Sequence, residues 1–424
     1  MRLCIYEDQA VDQLEPIVLA RPLVQVWLGA STLLGRFLKR FRPARWGLWV
    51  RPHLSALAQE LFPDIPINDL DWLQHDVTLL VNARWLPPTS LNLPDTPHVG
   101  ICAGQVAYVH LAEEKRPSLP SDWTNNAHLF LETLPCVATT GTMLTHPWDV
   151  IAHNELALLE DGKNWLASPG ERCLPPGVHL VGDPENVYIH PSVTLEAPVV
   201  LNAQDGPIIL DQDVKVHAFS RIEGPCYVGA KCVLYGARVR RGTTIGPGCR
   251  IGGEVEASIF QGWANKYHDG FIGHSWIGEW VNIAAGVQIS DLRHDYKTVP
   301  VCSRGQRQDS GLTKLGAFIG DHTKLGLGVL VNTGSLFGVF CSILPGPSYA
   351  PSYIPSFSRS VRGELRPERD VENCLETARR VMARRQQLLT PCLRDLYRYL
   401  YLRTNSDRLA CMDSVSKWAL RATA

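Results

Sequence analysis

A histidine, His268, stands in the stretch NKYHDG (265–270), with Lys266 two residues before it and Asp269 directly after it. An imidazole titrates near neutral pH, so a surface histidine can take a proton from an attacking amine in the working range of an enzyme. Lys266 and Asp269 are charges placed to orient that ring or to touch its substrate. A second polar stretch, SDLRHDYKTVPVCSRGQRQDSG (290–311), carries Asp291, Arg293, His294 and Lys297. Its cations suit phosphate oxygens. Asp149, in HPWD, is a candidate carboxylate for a hard cation, and equally a residue that stabilises a helix N-terminus.

The elements around these residues follow from a period. From about Val187 to Ile343, aliphatic residues recur every sixth position: Leu210, Val216, Ile222 and Val228, then Val233, Val239, Ile245 and Ile251, and later Ile319, Leu325, Val331, Phe337 and Ile343. Neither a helix nor a strand repeats at six. A parallel β-helix does, because each six-residue unit forms one side of a triangular coil with its aliphatic residue inward. Hexapeptide spacing indicates the left-handed form. Two interruptions stand out, 261–270 and 290–311, and a solenoid extrudes such insertions as loops, commonly functional ones.

Residues 1–175 alternate helical and strand-like patterns, as an α/β domain does. RLCIYED and VTLLVNARWLP are expected strands, and VWLGASTLLGRFLKRF and WDVIAHNELALLEDG expected helices. No GxGxxG and no GxxxxGK[ST] occurs, which removes the dinucleotide fingerprint and the P-loop. Residues 176–358 hold the β-helix and end in a Pro/Ser connector. Residues 359–424 read as a helical tail that caps the open end of the solenoid.

Composition narrows the function class. The 424 residues carry a net charge of −1, so no global field points to nucleic acid or an anionic membrane. Twelve cysteines without a CxxC pair argue against a zinc ribbon or a disulfide framework. The charged start lacks the apolar core of a signal peptide, and no apolar run is long enough to span a bilayer. A cytoplasmic protein is expected.

With the motifs ARPLVQVWLG (20–29), LLVNARWLP (79–87), HPWDVIAHN (146–154), GGEVEASIFQGWANKYHDGFIGHSWIGEWVNIAAG (252–286) and GDHTKLGLGVLVNTGSLFG (320–338), the chain resembles the sugar nucleotidyltransferases. These are relatives of the bifunctional N-acetylglucosamine-1-phosphate uridyltransferase/glucosamine-1-phosphate acetyltransferase of UDP-N-acetylglucosamine biosynthesis. The resemblance implies a nucleotidyltransferase-like α/β domain followed by a left-handed β-helix that transfers an acyl group from acetyl-CoA or another acyl-CoA. It implies His268 as the general base, substrate contacts at Lys266, Asp269, Asp291, Arg293 and Lys297, and a phosphate contact at Arg21 in Arg21-Pro22-Leu23. It further implies Mg²⁺ near Asp149 for nucleotidyl transfer, a sugar phosphate or nucleotide sugar as partner, and a homotrimer with sites between neighbouring coils.

The chain departs from the family at several positions. Glu256 stands where a phosphate-binding lysine is expected, and Phe271 replaces a tyrosine. The Gly-rich nucleotide loop is missing, and Asn82-Ala83-Arg84 replaces the Mg²⁺-holding aspartate. Nucleotidyl transfer, a non-catalytic sugar-nucleotide-binding scaffold and a trimer-interface zinc enzyme are the competing readings. The last requires HxxxxH, whereas His268 and His274 lie six apart.

Overall fold

The computed structural model describes residues 1–111, 123–125, 128–167, 174–304, 306–367 and 370–411. The expected tail beyond residue 411 lies outside them. The chain forms two compact units, Met1–Val26 with Thr32–Asp149, and Trp27–Ser31 with Val150–Ala424. No described helix is long and apolar enough to cross a membrane.

The first unit is built on a six-stranded sheet. Its order is Arg45–Trp49, Arg2–Tyr6, Leu79–Asn82, Gln105–His110, His98–Cys102 and Cys136–Ala138. The first three strands are parallel, and Gln105–His110 runs against Leu79–Asn82. Leu79–Asn82 is buried along its length, which explains its uninterrupted apolar run. The helix expected from VWLGASTLLGRFLKRF covers only Leu33–Phe41. Gly29 takes a left-handed φ of 70°, and the Thr32 hydroxyl accepts the Gly35 N–H at 3.2 Å, so the helix begins at that cap. Leu33, Leu34, Phe37 and Phe41 then form its buried stripe.

The second unit is a parallel β-solenoid. One face stacks nine parallel strands, from Val187–Ile189 to Tyr353–Ile354. Along it Ile189, Leu210, Val228, Ile245, Phe260, Ile277, Ile319, Phe337 and Ile354 line up and fill the core. A second column runs Val216, Leu234, Ile251, Lys266, and a third Ile222, Val239, Val255, Ile272, Ile289, Val331. Each fully buried aliphatic side chain contributes about 1.5–3 kcal/mol of transfer free energy, so the columns hold the stack together.

The stretch 261–270 is therefore not an interruption. The period continues through Phe260, Lys266 and Ile272, with Lys266 in the inward position opposite Ile251. A lysine at an apolar position hides the repeat from a reading by residue type. The stretch 290–311 is a true insertion. It leaves the coil after Gln288–Ile289, folds into the antiparallel pair Pro300–Ser303 and Gln306–Asp309, and returns to Phe318–Ile319.

One corner of the solenoid carries a ladder of rings. Trp263, Trp280, His322, Phe340 and Phe357 stack with centroids 5.3, 6.2, 4.6 and 5.0 Å apart. All five have left-handed φ values between 53° and 61°. That conformation costs a non-glycine residue about 1–2 kcal/mol, which stacking and burial offset. The tail does not cap the open end as expected. Its helices, Val371–Ala383 and Pro391–Arg403, lie along this corner, where aromatic side chains of the second helix pack against the ladder. Tyr397 meets His322 and Phe340 edge-on, Tyr401 meets Phe357, and Arg385 Nη1 donates to the Gly248 carbonyl at 3.1 Å. The last coil is instead closed by a hairpin pairing Ser358–Val361 with Glu364–Pro367.

Candidate functional site

His268 occupies the corner between strands Asn265–Lys266 and Phe271–Gly273 and is exposed. Its ring stands edge-on to Tyr267 at 5.5 Å. Tyr267 stacks on Tyr235 at 4.8 Å, and His217 meets Tyr235 at 5.1 Å, so an aromatic wall rises beside the histidine. Gly252 lies in the coil between the two tyrosines, where a Cβ would fall 2.1 Å from the Tyr267 carbonyl oxygen. Asp269 is exposed at the same corner, and its carbonyl accepts the Gly286 N–H.

Lys266 does not reach a substrate in this arrangement. It is 1 % exposed, and its Nζ donates to the carbonyls of Gly252 at 2.7 Å and His268 at 2.6 Å. Burial pushes its ammonium from the ordinary 10.5 down to about 8, against the opposing charge of Asp269. The expected substrate contact is thus corrected to a tie, made from inside the coil, on the backbone of the residue expected to be the base.

At the opposite end of Phe271–Gly273 lies His274. Its Nδ1 is 2.7 Å from Asp291 Oδ2, and the two side chains keep 19 % and 10 % of their surface. Glu256, the residue found where a phosphate-binding lysine was expected, meets Lys314 at 3.3 Å and Arg240 at 3.9 Å. Its charge is balanced within the protein.

The insertion forms a cleft of about 500 Å³ lined by Ser290, Leu292, Arg293, His294 and Arg307, together with Asn332 and Tyr349. Arg293 pairs with Asp295 through two contacts of 2.7 Å, and this holds the Asp295 carboxyl well below the usual range. Lys297 is exposed, 3.9 Å from Asp295, and outside the cleft lining. Asp291 faces His274 rather than a ligand. Of the expected residues of the insertion, then, Arg293 and His294 line the cleft, and Asp291 and Lys297 do not.

The first unit closes its polar groups on one another. Arg84, 2 % exposed, reaches both Asp8 carboxylate oxygens at 2.7 and 2.6 Å, Gln105 at 2.7 Å and the Leu144 carbonyl at 2.9 Å. Asn82 donates to Asp8 at 2.8 Å. A guanidinium therefore stands where the resemblance implies a metal carboxylate, and these residues do not fit Mg²⁺. Asp149 accepts the N–H groups of Thr145 and His146 at 2.7 and 2.9 Å, which is helix-entry capping. Among the described residues no cluster of three or more His, Cys, Asp or Glu is arranged for a metal. Arg21 is buried, and its carbonyl accepts from Arg51, itself paired with Glu7 and Asp12, so the expected phosphate contact is enclosed instead.

His274 with Asp291 is the constellation that residue types did not bring together. The signal was present in the spacing. Ile272 and Ile289 are register partners one coil apart, and His274 and Asp291 share the same 17-residue separation.

Comparison with known proteins agrees with this architecture. Residues 3–167 match the family model described as sugar nucleotidyl transferase. A bifunctional sugar-1-phosphate nucleotidylyltransferase/acetyltransferase of Sulfurisphaera tokodaii is 41 % identical over 93 residues, 22 % of this chain and 23 % of that protein. The bifunctional protein GlmU of Azorhizobium caulinodans is 34 % identical over 115 residues, covering 26 % and 25 %. GlmU of Xylella fastidiosa strain M12 is 30 % identical over 220 residues, covering 46 % and 45 %. The chain spans less than half the length of these curated relatives. Its first part thus matches the sugar nucleotidyl transferase family model and is joined to a β-solenoid, in a chain similar over part of its length to the bifunctional nucleotidyltransferase/acetyltransferases.

Proposed function

We propose that this chain is a transferase of sugar-nucleotide metabolism whose solenoid moves an acyl group from acyl-CoA to the amine of an amino-sugar phosphate or nucleotide amino-sugar. The observation that carries the reading is the surroundings of Phe271–Gly273. This strand has the open imidazole of His268 at one end, and it pairs with Gln288–Ile289, from whose end the Arg-lined cleft begins. His268 takes the amine proton as the tetrahedral intermediate forms. Arg307 supplies charge for phosphate groups, Arg293 does so where a phosphate displaces Asp295, and Tyr235 and Tyr267 offer a flat wall for a sugar ring.

The first unit favours a second reading for itself, binding of a sugar nucleotide without turnover, because Arg84 stands in the metal position. The test is thiol release from acetyl-CoA with a panel of amino-sugar phosphates and nucleotide amino-sugars, wild type against His268→Ala. Turnover that falls at least about 100-fold in the variant supports the proposal. No turnover with any acceptor, together with measurable sugar-nucleotide binding, overturns it in favour of the binding or nucleotidyl-transfer readings.

A further inference from the structure

Acyl transfer from a thioester moves two protons. The amine loses one as the N–C bond forms, and the thiolate gains one as the C–S bond breaks. His268 accounts for the first. From the geometry we infer that His274, held by Asp291, is the second proton-transfer group of the solenoid and protonates the departing thiolate of a phosphate-bearing acyl thioester. This inference rests on the acyl-transfer reading above.

Several features show that the coil is built around this pair. Asp291 Oδ2, 2.7 Å from Nδ1, fixes the ring orientation and offers an ion-pair partner to the ring in its protonated form. Among the described residues Nε2 makes no hydrogen bond, and the side chain keeps 19 % of its surface. His274 adopts a left-handed φ of 43°, a corner conformation it shares with Phe219, Ala257 and the ladder residues. Here its N–H donates to the Glu256 carbonyl and its carbonyl accepts from Gly316.

Gly273 completes the device. A Cβ there would lie 2.3 Å from Asp291 Oδ2, so the glycine leaves the carboxylate its place. The Asp291 backbone is fixed in turn, since its carbonyl accepts the Leu315 N–H where the insertion closes. The residues flanking Asp291, Ser290 and Leu292, line the cleft together with Arg293, His294, Asp295 and Arg307. In this proposal the phosphates of the thiol leaving group take Arg307 and compete with Asp295 for Arg293, with the sulfur on the Asp291 side. His268, at the other end of Phe271–Gly273, has no carboxylate contact recorded among the described residues, which suits a proton acceptor. In the complete step the amine proton goes to His268 and the His274 proton goes to sulfur. Exchange with solvent resets both rings.

The experiment compares two acyl donors with the full chain: acetyl-CoA, and acetyl 4-nitrothiophenol, whose thiolate leaves readily without protonation. Wild type, His268→Ala, His274→Gln and Asp291→Asn are assayed with the acceptor found in the panel. We expect His274→Gln to lose at least about 100-fold in kcat with acetyl-CoA and to stay within about threefold of wild type with the activated donor. His268→Ala loses rate with both donors, and Asp291→Asn follows His274→Gln with a displaced pH profile. The retained rate with the activated donor itself shows that the variant is folded. A His274→Gln variant that keeps its acetyl-CoA rate, or loses both donors equally, overturns the inference while leaving acyl transfer standing. No wild-type turnover with either donor overturns the acyl-transfer reading and the inference with it.

Discussion

The two units use polar side chains in opposite ways. In the first, Asp8, Asn82, Arg84 and Gln105 bind one another, as do Glu7, Asp12 and Arg51, and the carboxylates are matched by guanidinium groups. In the second, His268 is open to solvent, His274 Nε2 makes no hydrogen bond among the described residues, and the insertion forms a cleft lined by two arginines and Asp295. A family fold can thus be kept while its polar centre becomes structural. The chemistry is then to be sought where side chains are held but not satisfied.

The largest way to break this contrast is to open the first cluster. Arg84→Met leaves Asp8 without its bidentate partner in a largely enclosed site, and a loss of about 3–5 kcal/mol is expected. Urea denaturation measures it, and the midpoint of wild type should not rise with Mg²⁺. A rise would mean that the cluster accepts a cation after all.

A sharper, pH-dependent contrast lies at Lys266. Its folded pKa of about 8 is below the ordinary 10.5, so the unfolded chain binds more protons between these values. Wild-type stability should therefore rise with pH across that window. Lys266→Met removes the buried ammonium, at the cost of two carbonyl partners, and should gain about 1–2 kcal/mol at pH 7. The gain should shrink as pH rises from 8 to 10.5, which thermal unfolding at several pH values will show. A gain that is constant with pH would assign the effect to packing alone.

The smallest effect concerns the tail. Tyr397 Oη lies 3.2 Å from His322 Nε2, and Tyr397→Phe should cost about 1 kcal/mol without touching thiol release. A fall in acyl transfer would instead connect the ladder to the site.

How much of this was legible follows from where the signals live. The solenoid could be read because each inward residue announces itself every sixth position. Reading stopped at Lys266, where a cation fills an apolar slot, and so Phe260 to Ile272 looked like a break. The insertion 290–311 was visible by its length and polarity. The His274–Asp291 pair was not, because a contact between coils depends on register, and residue types alone do not give register. Arg21 was misjudged in the same way, since an arginine in a sequence does not show whether it faces a phosphate or lies enclosed. The tail was recognised as helical from its stripe, but the surface it covers is set by aromatic corners far back in the chain.

That ladder has a consequence for how the molecule comes apart. Coils of a solenoid contact only their neighbours, so such a protein can lose structure one rung at a time from either end. Here the tail spans many rungs, touching Gly248 through Arg385 and Ser356 through Arg408. It acts as a splint that ties those rungs into one cooperative block. Amide hydrogens from Gly248 to Phe357 should exchange together, and the rungs before residue 230, which lack the splint, should exchange sooner.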